Sequence, residues 1–213
     1  MPRPRYRHIV VEGPIGVGKT SLARRLAEHL QAELLLENAA DNPFLPRFYQ
    51  DPKRYALATQ LHFLFDRARQ VSQLAQGDLF RHSIVADFLL DKDRLFARLN
   101  LDSDEYALYR KVYDDLALQA PAPDLVIYLQ APLDKLRERV RRRGIDYEQG
   151  MSSDYLDRLA ATYSEFFHHY DAAPVLMVNS EHLNFVSSAD DFELLLERMD
   201  KMRGPREFFS RAA

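Results

Sequence analysis

The sequence predicts an α/β fold in which a parallel sheet is covered by helices on both faces. Short apolar runs alternate with segments of helical periodicity along most of the chain, a pattern typical of strand–helix–strand crossovers. A glycine-rich turn at residues 13–18 separates the first apolar run from the first helical stripe. No linker, repeat or low-complexity segment interrupts the 213 residues, so we expect one domain over 1–213.

Five apolar runs are predicted to be the strands of this sheet: 7–11, 34–36, 82–86, 124–130 and 175–178. Helices are predicted over 19–31, 52–76, 92–99, 103–119, 132–143, 153–170 and 188–202. Pro52 is placed to open the long second helix, and Gly77-Asp78 to close it. The segment Pro121-Ala-Pro123 stops the helix before the fourth strand, and 38–43 is expected to be a loop.

The composition excludes several classes of protein. The 29 basic residues nearly balance the 32 acidic ones, giving a net charge of −3, so a chain that coats nucleic acid or an anionic membrane is not expected. With 46% hydrophobic and 29% charged residues, the chain is not disordered as a whole. The lack of cysteine rules out disulfides, thiolate nucleophiles and cysteine-ligated zinc. No signal-peptide core or membrane-length apolar run is present, so we expect a cytoplasmic protein.

Residues 13–20 fit the phosphate-binding pattern G-x-x-x-x-G-K-[ST], with a strand before and a helix after, as that pattern requires. The glycines let successive backbone N–H groups turn toward phosphate oxygens, and the helix N-terminus adds its positive dipole end. Lys19 can reach the β- and γ-phosphates, and the Thr20 hydroxyl can ligate Mg²⁺. We therefore expect a nucleoside triphosphate to be bound with Mg²⁺ by Gly13, Pro14, Ile15, Gly16, Val17, Gly18, Lys19 and Thr20.

Two acidic residues end predicted strands at the edge where α/β sheets bind ligands. Asp87 could help to hold Mg²⁺ together with Thr20, or it could be a helix N-cap. Glu37 could accept a proton from an attacking hydroxyl, or it could be a solvated strand-end acid.

A run of arginines precedes Gly144, and Arg139 and Arg143 share a helix face because they are four residues apart. Such a segment suits a lid, at about 139–150, that neutralises charge on a transferring phosphoryl group. A solvated charged helix is the alternative interpretation.

These segments together resemble the deoxyribonucleoside kinase family, from about residue 9 to residue 178. The resemblance is carried by the phosphate-binding loop, Glu37 with Asn42-Pro-Phe-Leu, the segment from Phe48-Tyr-Gln-Asp to Gln60, Asp87 with Phe96-Ala97, and the arginine run followed by Glu148-Gln-Gly. It implies a three-layer P-loop kinase fold, transfer of the ATP γ-phosphate to the 5′-hydroxyl of a deoxyribonucleoside, and a homodimer. Deoxyadenosine and deoxyguanosine are the expected acceptors, for nucleotide salvage.

The resemblance also implies roles for single residues. Glu37 matches the base beside the 5′-hydroxyl, and Lys19, Asp87, Arg139 and Arg143 complete the expected catalytic set. Further substrate contacts are implied for Asp87, for Tyr49 and Glu148 at the 3′-hydroxyl, for Gln60 and Arg67 at the base, and for Phe96 stacking on the base.

One departure from the family pattern leaves alternatives open. Phe88-Leu89 follows Asp87 where the family usually has arginine and serine, so Lys92, Arg94 or a lid arginine must supply that charge. A non-catalytic nucleotide-binding relative therefore stays open, as does a nucleoside monophosphate kinase of the thymidylate kinase type.

Overall fold

A six-stranded parallel sheet forms the centre of the protein in a computed structural model, which describes residues 5–76, 83–116 and 120–211. Its strands are β1 (His8–Glu12), β2 (Glu33–Leu35), β3 (Ile84–Ala86), β4 (Leu125–Gln130), β5 (Val175–Asn179) and β6 (Arg206–Ser210). They lie side by side in the order β2-β3-β1-β4-β5-β6, and every neighbouring pair is parallel. The carboxyl ends of all six strands therefore lie at one edge of the sheet.

Helices connect the strands: α1 (Lys19–Leu30), α2 (Leu45–Gln50), α3 (Pro52–Gln76), α4 (Lys92–Asn100), α5 (Ser103–Asp115), α6 (Leu133–Arg143), α7 (Ser153–His169) and α8 (Ala189–Lys201). Two short 3₁₀ segments, Ala39–Asp41 and Asp146–Gly150, lie between them. Within the described ranges, no helix combines the length and the apolar character that a bilayer span requires.

The alternation of side chains along β1 builds the core on both faces of the sheet. Ile9 and Val11 pack in one buried cluster with residues of α1 and α8, such as Leu26 and Leu195. Val10 points to the opposite face, into a cluster with α4 and α7. The predicted three-layer α/β arrangement is confirmed, because helices cover both faces of the parallel sheet.

The predicted number of strands was wrong. The sheet has six strands rather than five, because Arg206–Ser210 adds an edge strand beside β5. This strand was missed because only Phe209 is buried in it and its other side chains are more exposed, so it lacks the apolar run that marks an interior strand.

Element bounds differ from the sequence predictions in smaller ways. The second strand is Glu33–Leu35 rather than 34–36, and the predicted 38–43 loop contains a 3₁₀ turn before the unpredicted α2. The predicted helix closure at Gly77-Asp78, the start of the third strand at His82, and the last turn predicted at 117–119 lie outside the described residues.

Candidate active site

The phosphate-binding loop leaves β1 and enters α1 with three glycines at positive φ. Gly13, Gly16 and Gly18 have φ of 149°, 83° and 106°, values that side-chain-bearing residues rarely adopt. In this conformation the Lys19 ammonium donates hydrogen bonds to the carbonyl oxygens of Gly13, at 2.7 Å, and Pro14, at 3.2 Å. The loop thus holds its own lysine against two of its backbone carbonyls.

The ends of β2 and β3 are joined to the start of α1 by Asp87. One carboxylate oxygen accepts a hydrogen bond from the Thr20 hydroxyl, and the other accepts one from the backbone N–H of Glu37 at 2.8 Å. Burial raises the pKa of Asp87, and the hydrogen bond from Thr20 opposes that rise. A hydroxyl and a carboxylate oxygen therefore meet directly beside the phosphate-binding loop.

The Glu37 carboxylate lies between two buried cations. The Arg67 guanidinium contacts one of its oxygens, and the Lys92 ammonium lies 3.2 Å from the other. Burial alone would raise the pKa of the Glu37 carboxyl, but Arg67 and Lys92 outweigh burial and lower that pKa to about 2. Glu37 is therefore ionised over the whole range in which proteins work.

Arg67 also contacts a second carboxylate, that of Asp93 on α4, which is fully buried. The Gln60 side-chain amide donates to Asp93 Oδ1 at 2.7 Å, and the Tyr109 hydroxyl donates to the same oxygen at the same distance. Gln60, Arg67 and Glu37 are thus connected through hydrogen bonds that run along one side of α3.

A cavity of about 220 Å³ collects the expected acceptor-site residues. It is lined by Glu37, Tyr49, Gln60, Arg67, Asp87, Phe96 and Glu148, together with Lys19, Thr20 and Arg143. These residues come from α1, α2, α3, α4, α6, the strand ends and the 3₁₀ segment Asp146–Gly150. The fold therefore brings together all seven residues that the sequence analysis assigned to the acceptor.

A second, larger cavity of about 760 Å³ lies over the phosphate-binding loop and is lined by residues 16–22, parts of α6 and residues 180–186. Arg139 and Arg143, the two arginines of the predicted lid, have different surroundings. Arg139 donates hydrogen bonds to the backbone carbonyls of Val17, at 3.2 Å, and Ser180, at 2.8 Å. It lines the larger cavity but not the smaller one. Arg143 lines both cavities and binds Glu148, with its Nε 3.1 Å from a carboxylate oxygen.

Tyr49 and Glu148, which are expected at the 3′-hydroxyl, belong to neighbouring segments that pack on each other. The Tyr49 ring stacks on that of Tyr147, with ring centroids 6.0 Å apart. Burial, followed by the neighbouring Tyr155 and Glu148, raises the pKa of Tyr49, so its hydroxyl keeps its proton. Both residues line the smaller cavity.

Three residues at the site were not singled out as site residues from the sequence: Glu12, Lys92 and Asp93. Lys92 was only one of three alternatives for a missing charge, and the structure places the second alternative, Arg94, on the exposed side of α4. An acidic residue ending an otherwise apolar strand was the available signal for Glu12. No comparable signal marked Asp93, because its partners Gln60 and Arg67 lie on a different helix.

Comparison with known proteins gives one consistent result. The sequence model of the family described as "Deoxynucleoside kinase" matches residues 9–202. A deoxyadenosine kinase of Lactobacillus acidophilus is 33% identical over 207 residues, covering 91% of this chain and 94% of its own. A deoxyguanosine kinase of Bacillus subtilis is 30% identical over 199 residues, covering 91% of this chain and 96% of its own. The structure of deoxyadenosine kinase from M. mycoides with bound dATP superposes with a TM-score of 0.78 at 25% identity, covering 91% of this chain and 99% of that one.

Proposed function

The chain belongs to the deoxynucleoside kinase family, and we propose that it transfers the γ-phosphate of ATP to the 5′-hydroxyl of a purine deoxyribonucleoside. The observation that carries this proposal is the smaller cavity, which an ionised carboxylate, Glu37, shares with the phosphate-loop lysine, Lys19. Such a cavity can hold an acceptor hydroxyl next to the place where a terminal phosphate would lie.

Glu37 orients the 5′-hydroxyl by accepting its hydrogen bond. With a pKa of about 2, its carboxylate is too weak a base to remove a proton from a free alcohol. Phosphoryl transfer has a loose transition state, in which the hydroxyl becomes acidic only as its bond to phosphorus forms. Glu37 therefore takes the proton late, and positioning and charge neutralisation supply most of the rate.

The pairing of the cations favours an uncharged acceptor over a nucleoside monophosphate. Arg67 and Lys92 each contact two carboxylates, and Arg143 binds Glu148. A nucleoside monophosphate would need cations for its own phosphate in addition to those that face the transferred phosphoryl group, and these three cations are already paired with carboxylates. The smaller cavity lacks, among the described residues, the cationic pocket that a monophosphate kinase needs.

Gln60 lines the part of the cavity that we assign to the base, and the fully buried Asp93 binds its amide group. The Gln60 amide nitrogen donates two hydrogen bonds to Asp93, one to the carboxylate at 2.7 Å and one to the backbone carbonyl at 3.1 Å. The amide oxygen is then the group left to accept a hydrogen bond from an amino group on the base. Similarity to deoxyadenosine and deoxyguanosine kinases supports a purine, with Phe96 stacking on it and Arg67 at its edge.

Tyr49 and Glu148 are assigned to the 3′-hydroxyl of the sugar. A neutral phenol can donate a hydrogen bond to this hydroxyl, and a carboxylate can accept one from it. Arg139 and Arg143 then close over the triphosphate from α6, since both line the larger cavity above the phosphate-binding loop.

Mg²⁺ fits the donor set at Thr20 and Asp87. This cation prefers oxygen ligands and keeps several waters and substrate phosphate oxygens in its shell, so one hydroxyl and one carboxylate suffice from the protein. The Thr20–Asp87 hydrogen bond places these two oxygens at the edge of the loop. A bound Mg²⁺ would neutralise charge on the β- and γ-phosphates.

The first experiment measures ADP release by the purified protein with ATP and Mg²⁺ against deoxyadenosine, deoxyguanosine, deoxycytidine, thymidine, adenosine and the matching monophosphates. We expect turnover with deoxyadenosine or deoxyguanosine. Turnover with monophosphates alone would assign the protein to the nucleoside monophosphate kinases instead. ATP binding without turnover on any acceptor would make it a non-catalytic relative.

The variant Glu37→Gln tests the role of the carboxylate. Arg67 keeps Asp93 and Lys92 keeps Glu12, so every cation retains an anionic partner and the fold should persist. We expect kcat to fall by about 10²- to 10⁴-fold with ATP affinity unchanged. Glu33→Gln, the same substitution at an exposed position of β2, is the matched control. Wild-type turnover in Glu37→Gln would remove Glu37 from this role.

We further propose a homodimer formed through α3 and α5. Phe65 on α3 and Leu108 on α5 are each 49% exposed, and the two helices pack side by side through Leu64 and Tyr109. A second copy of this face would cover both apolar side chains. Sedimentation equilibrium should give a dimer for the wild type and a monomer for Phe65→Glu. A monomeric wild type at micromolar concentration would reject the proposal.

A further inference from the structure

Glu12 is a fully buried carboxylate at the last position of β1, immediately before the phosphate-binding loop. One oxygen accepts hydrogen bonds from the Gly13 N–H, at 2.9 Å, and the Tyr163 hydroxyl, at 3.1 Å. The other accepts one from the Leu89 N–H at 2.9 Å. A buried carboxylate is tolerated only when it is hydrogen-bonded and paired with a cation. Glu12 therefore ties the loop, the segment after β3 and α7 to one charged group.

The cation that pairs with Glu12 is the ammonium of Lys92. Lys92 opens α4, is 3% exposed, and places its Nζ 3.3 Å from Glu12 and 3.2 Å from Glu37. Burial alone would lower the pKa of Lys92, but the two carboxylates outweigh burial and raise it, so the side chain stays charged. This ammonium lines the acceptor cavity together with Lys19.

Because Lys92 lies between two carboxylates, it keeps one anionic partner when the other carboxylate binds the substrate. When Glu37 accepts the hydrogen bond of the 5′-hydroxyl, Glu12 still holds Lys92 in place. The ammonium is then directly beside the oxygen that attacks phosphorus. Arg94, two residues further on, points away from the cavity and lies near the Tyr113 ring instead.

We propose that Lys92 is the cation that contacts the transferring phosphoryl group on the acceptor side, and that Glu12 is the positioning residue that holds it there. This rests on the proposed function. In the step, the 5′-oxygen forms its bond to the γ-phosphorus as the bond from that phosphorus to the β–γ bridging oxygen breaks. The hydroxyl proton passes to Glu37, the charge of the leaving group remains on ADP, and Lys92 keeps its proton throughout.

The test compares Lys92→Met, Lys92→Arg and the neighbouring exposed control Arg94→Met for kcat, nucleoside KM and ATP affinity. We expect Lys92→Met to lower kcat by about 10²-fold or more, as loss of one transition-state donor does, with ATP affinity within threefold of wild type. Lys92→Arg should recover at least a tenth of wild-type kcat, because it restores the charge. Arg94→Met should behave as wild type. A kcat of Lys92→Met within threefold of wild type would overturn the assignment of Lys92.

Glu12 is tested by a double-mutant cycle, since a positioning residue acts only through its partner. We expect Glu12→Gln to lower kcat about tenfold or more in the wild-type background, and to lower it less than twofold when Lys92 is already methionine. Equal losses in both backgrounds would mean that Glu12 supports the fold only, and would overturn its positioning role.

A binding measurement covers the case in which a variant is unstable. Mg²⁺, ADP and aluminium fluoride together form an analogue of the phosphoryl-transfer state. The affinity of each variant for this analogue with deoxyadenosine is compared with its affinity for Mg²⁺ and ADP alone. Lys92→Met should weaken only the former, and equal weakening of both would contradict the proposal. Wild type and Glu37→Gln are run in parallel. An inactive wild type refutes the proposed function, whereas an active wild type with an unaffected Lys92→Met refutes only this inference.

Discussion

Gly13 is the position of the phosphate-binding loop at which a single methyl group should do most damage. Its φ is 149°, and a Cβ there would lie 2.4 Å from the carbonyl oxygen of Leu129 and 2.9 Å from a methyl carbon of Val17. Leu129 belongs to β4, which is paired with β1, so the obstructing atom is sheet backbone and cannot rotate away. The substitution Gly13→Ala must therefore shift the loop away from the sheet or deform β4.

The cost of Gly13→Ala has two parts. A non-glycine residue held in a backbone region that only glycine populates costs about 1–3 kcal/mol. Forcing an extra carbon into a packed interior costs about 1–3 kcal/mol more. We expect a loss of about 2–6 kcal/mol in the free energy of unfolding, a large fraction of the roughly 5–15 kcal/mol available to a domain. At about 2–4 °C per kcal/mol for a chain of this size, the melting temperature should fall by about 10 °C.

Gly144→Ala is the matched control for the strain at Gly13. Gly144 also has a positive φ, 68°, but no atom lies within 4 Å of the place its Cβ would take. It caps α6 in the left-handed region, where alanine costs about 1–2 kcal/mol. Urea unfolding without nucleotide compares the two variants. If Gly13→Ala loses no more stability than Gly144→Ala, the contact with β4 does not constrain the loop and the reasoning fails.

Three further predictions concern the charged groups of the site. Burial, followed by the Lys92 cation, lowers the pKa of Lys19 to about 8, so Lys19 is charged below pH 8 and neutral above it. The Kd for ATP, measured by calorimetry, should therefore be constant below pH 8 and rise about tenfold per pH unit above it. A Kd that stays constant up to pH 9.5 would contradict this. Asp87→Asn keeps an oxygen that can accept the hydrogen bond from the Glu37 N–H but removes a negative charge. The Mg²⁺ concentration that gives half the maximal rate should therefore rise by about tenfold, with Glu33→Gln as the control. An unchanged Mg²⁺ requirement would exclude Asp87 from the metal site. Glu148→Gln removes a charged hydrogen-bond acceptor from the cavity. The KM for the nucleoside should therefore rise by about 10-fold or more, while the affinity for ATP stays unchanged. A KM within twofold of wild type would argue against a contact of Glu148 with the sugar.

The sequence was most informative where function depends on local pattern. The phosphate-binding loop could be identified because its glycines, lysine and threonine are contiguous and lie between a strand and a helix. Gln60 and Arg67 could be placed on one side of α3 because helical geometry fixes which residues seven apart share a face. Parallel strands could be expected to bring Glu37 and Asp87 to one edge.

What the sequence did not reveal depends on contacts between distant segments or on weak apolar signals. The edge strand β6 is held by backbone pairing to β5, which leaves little trace in side-chain pattern. Asp93 could not be predicted as a partner of Gln60, because the residue that satisfies a buried amide can come from any neighbouring element. Arg67 was expected near the base, whereas its second contact, with Glu37, became evident only in the folded chain.

That second contact links the proposed base site to Glu37, the proposed catalytic carboxylate. Arg67 binds Asp93, which holds Gln60, and with its other nitrogen it binds Glu37. Because Arg67 is one of the cations that lower the pKa of Glu37, an acceptor that draws the guanidinium toward the base would weaken its hold on Glu37 and make that carboxylate a better base. A base that leaves Asp93 and Arg67 undisturbed leaves Glu37 at its lowest basicity. The shared guanidinium therefore makes the basicity of Glu37 depend on what occupies the far end of the cavity, so acceptors should differ in kcat as well as in KM.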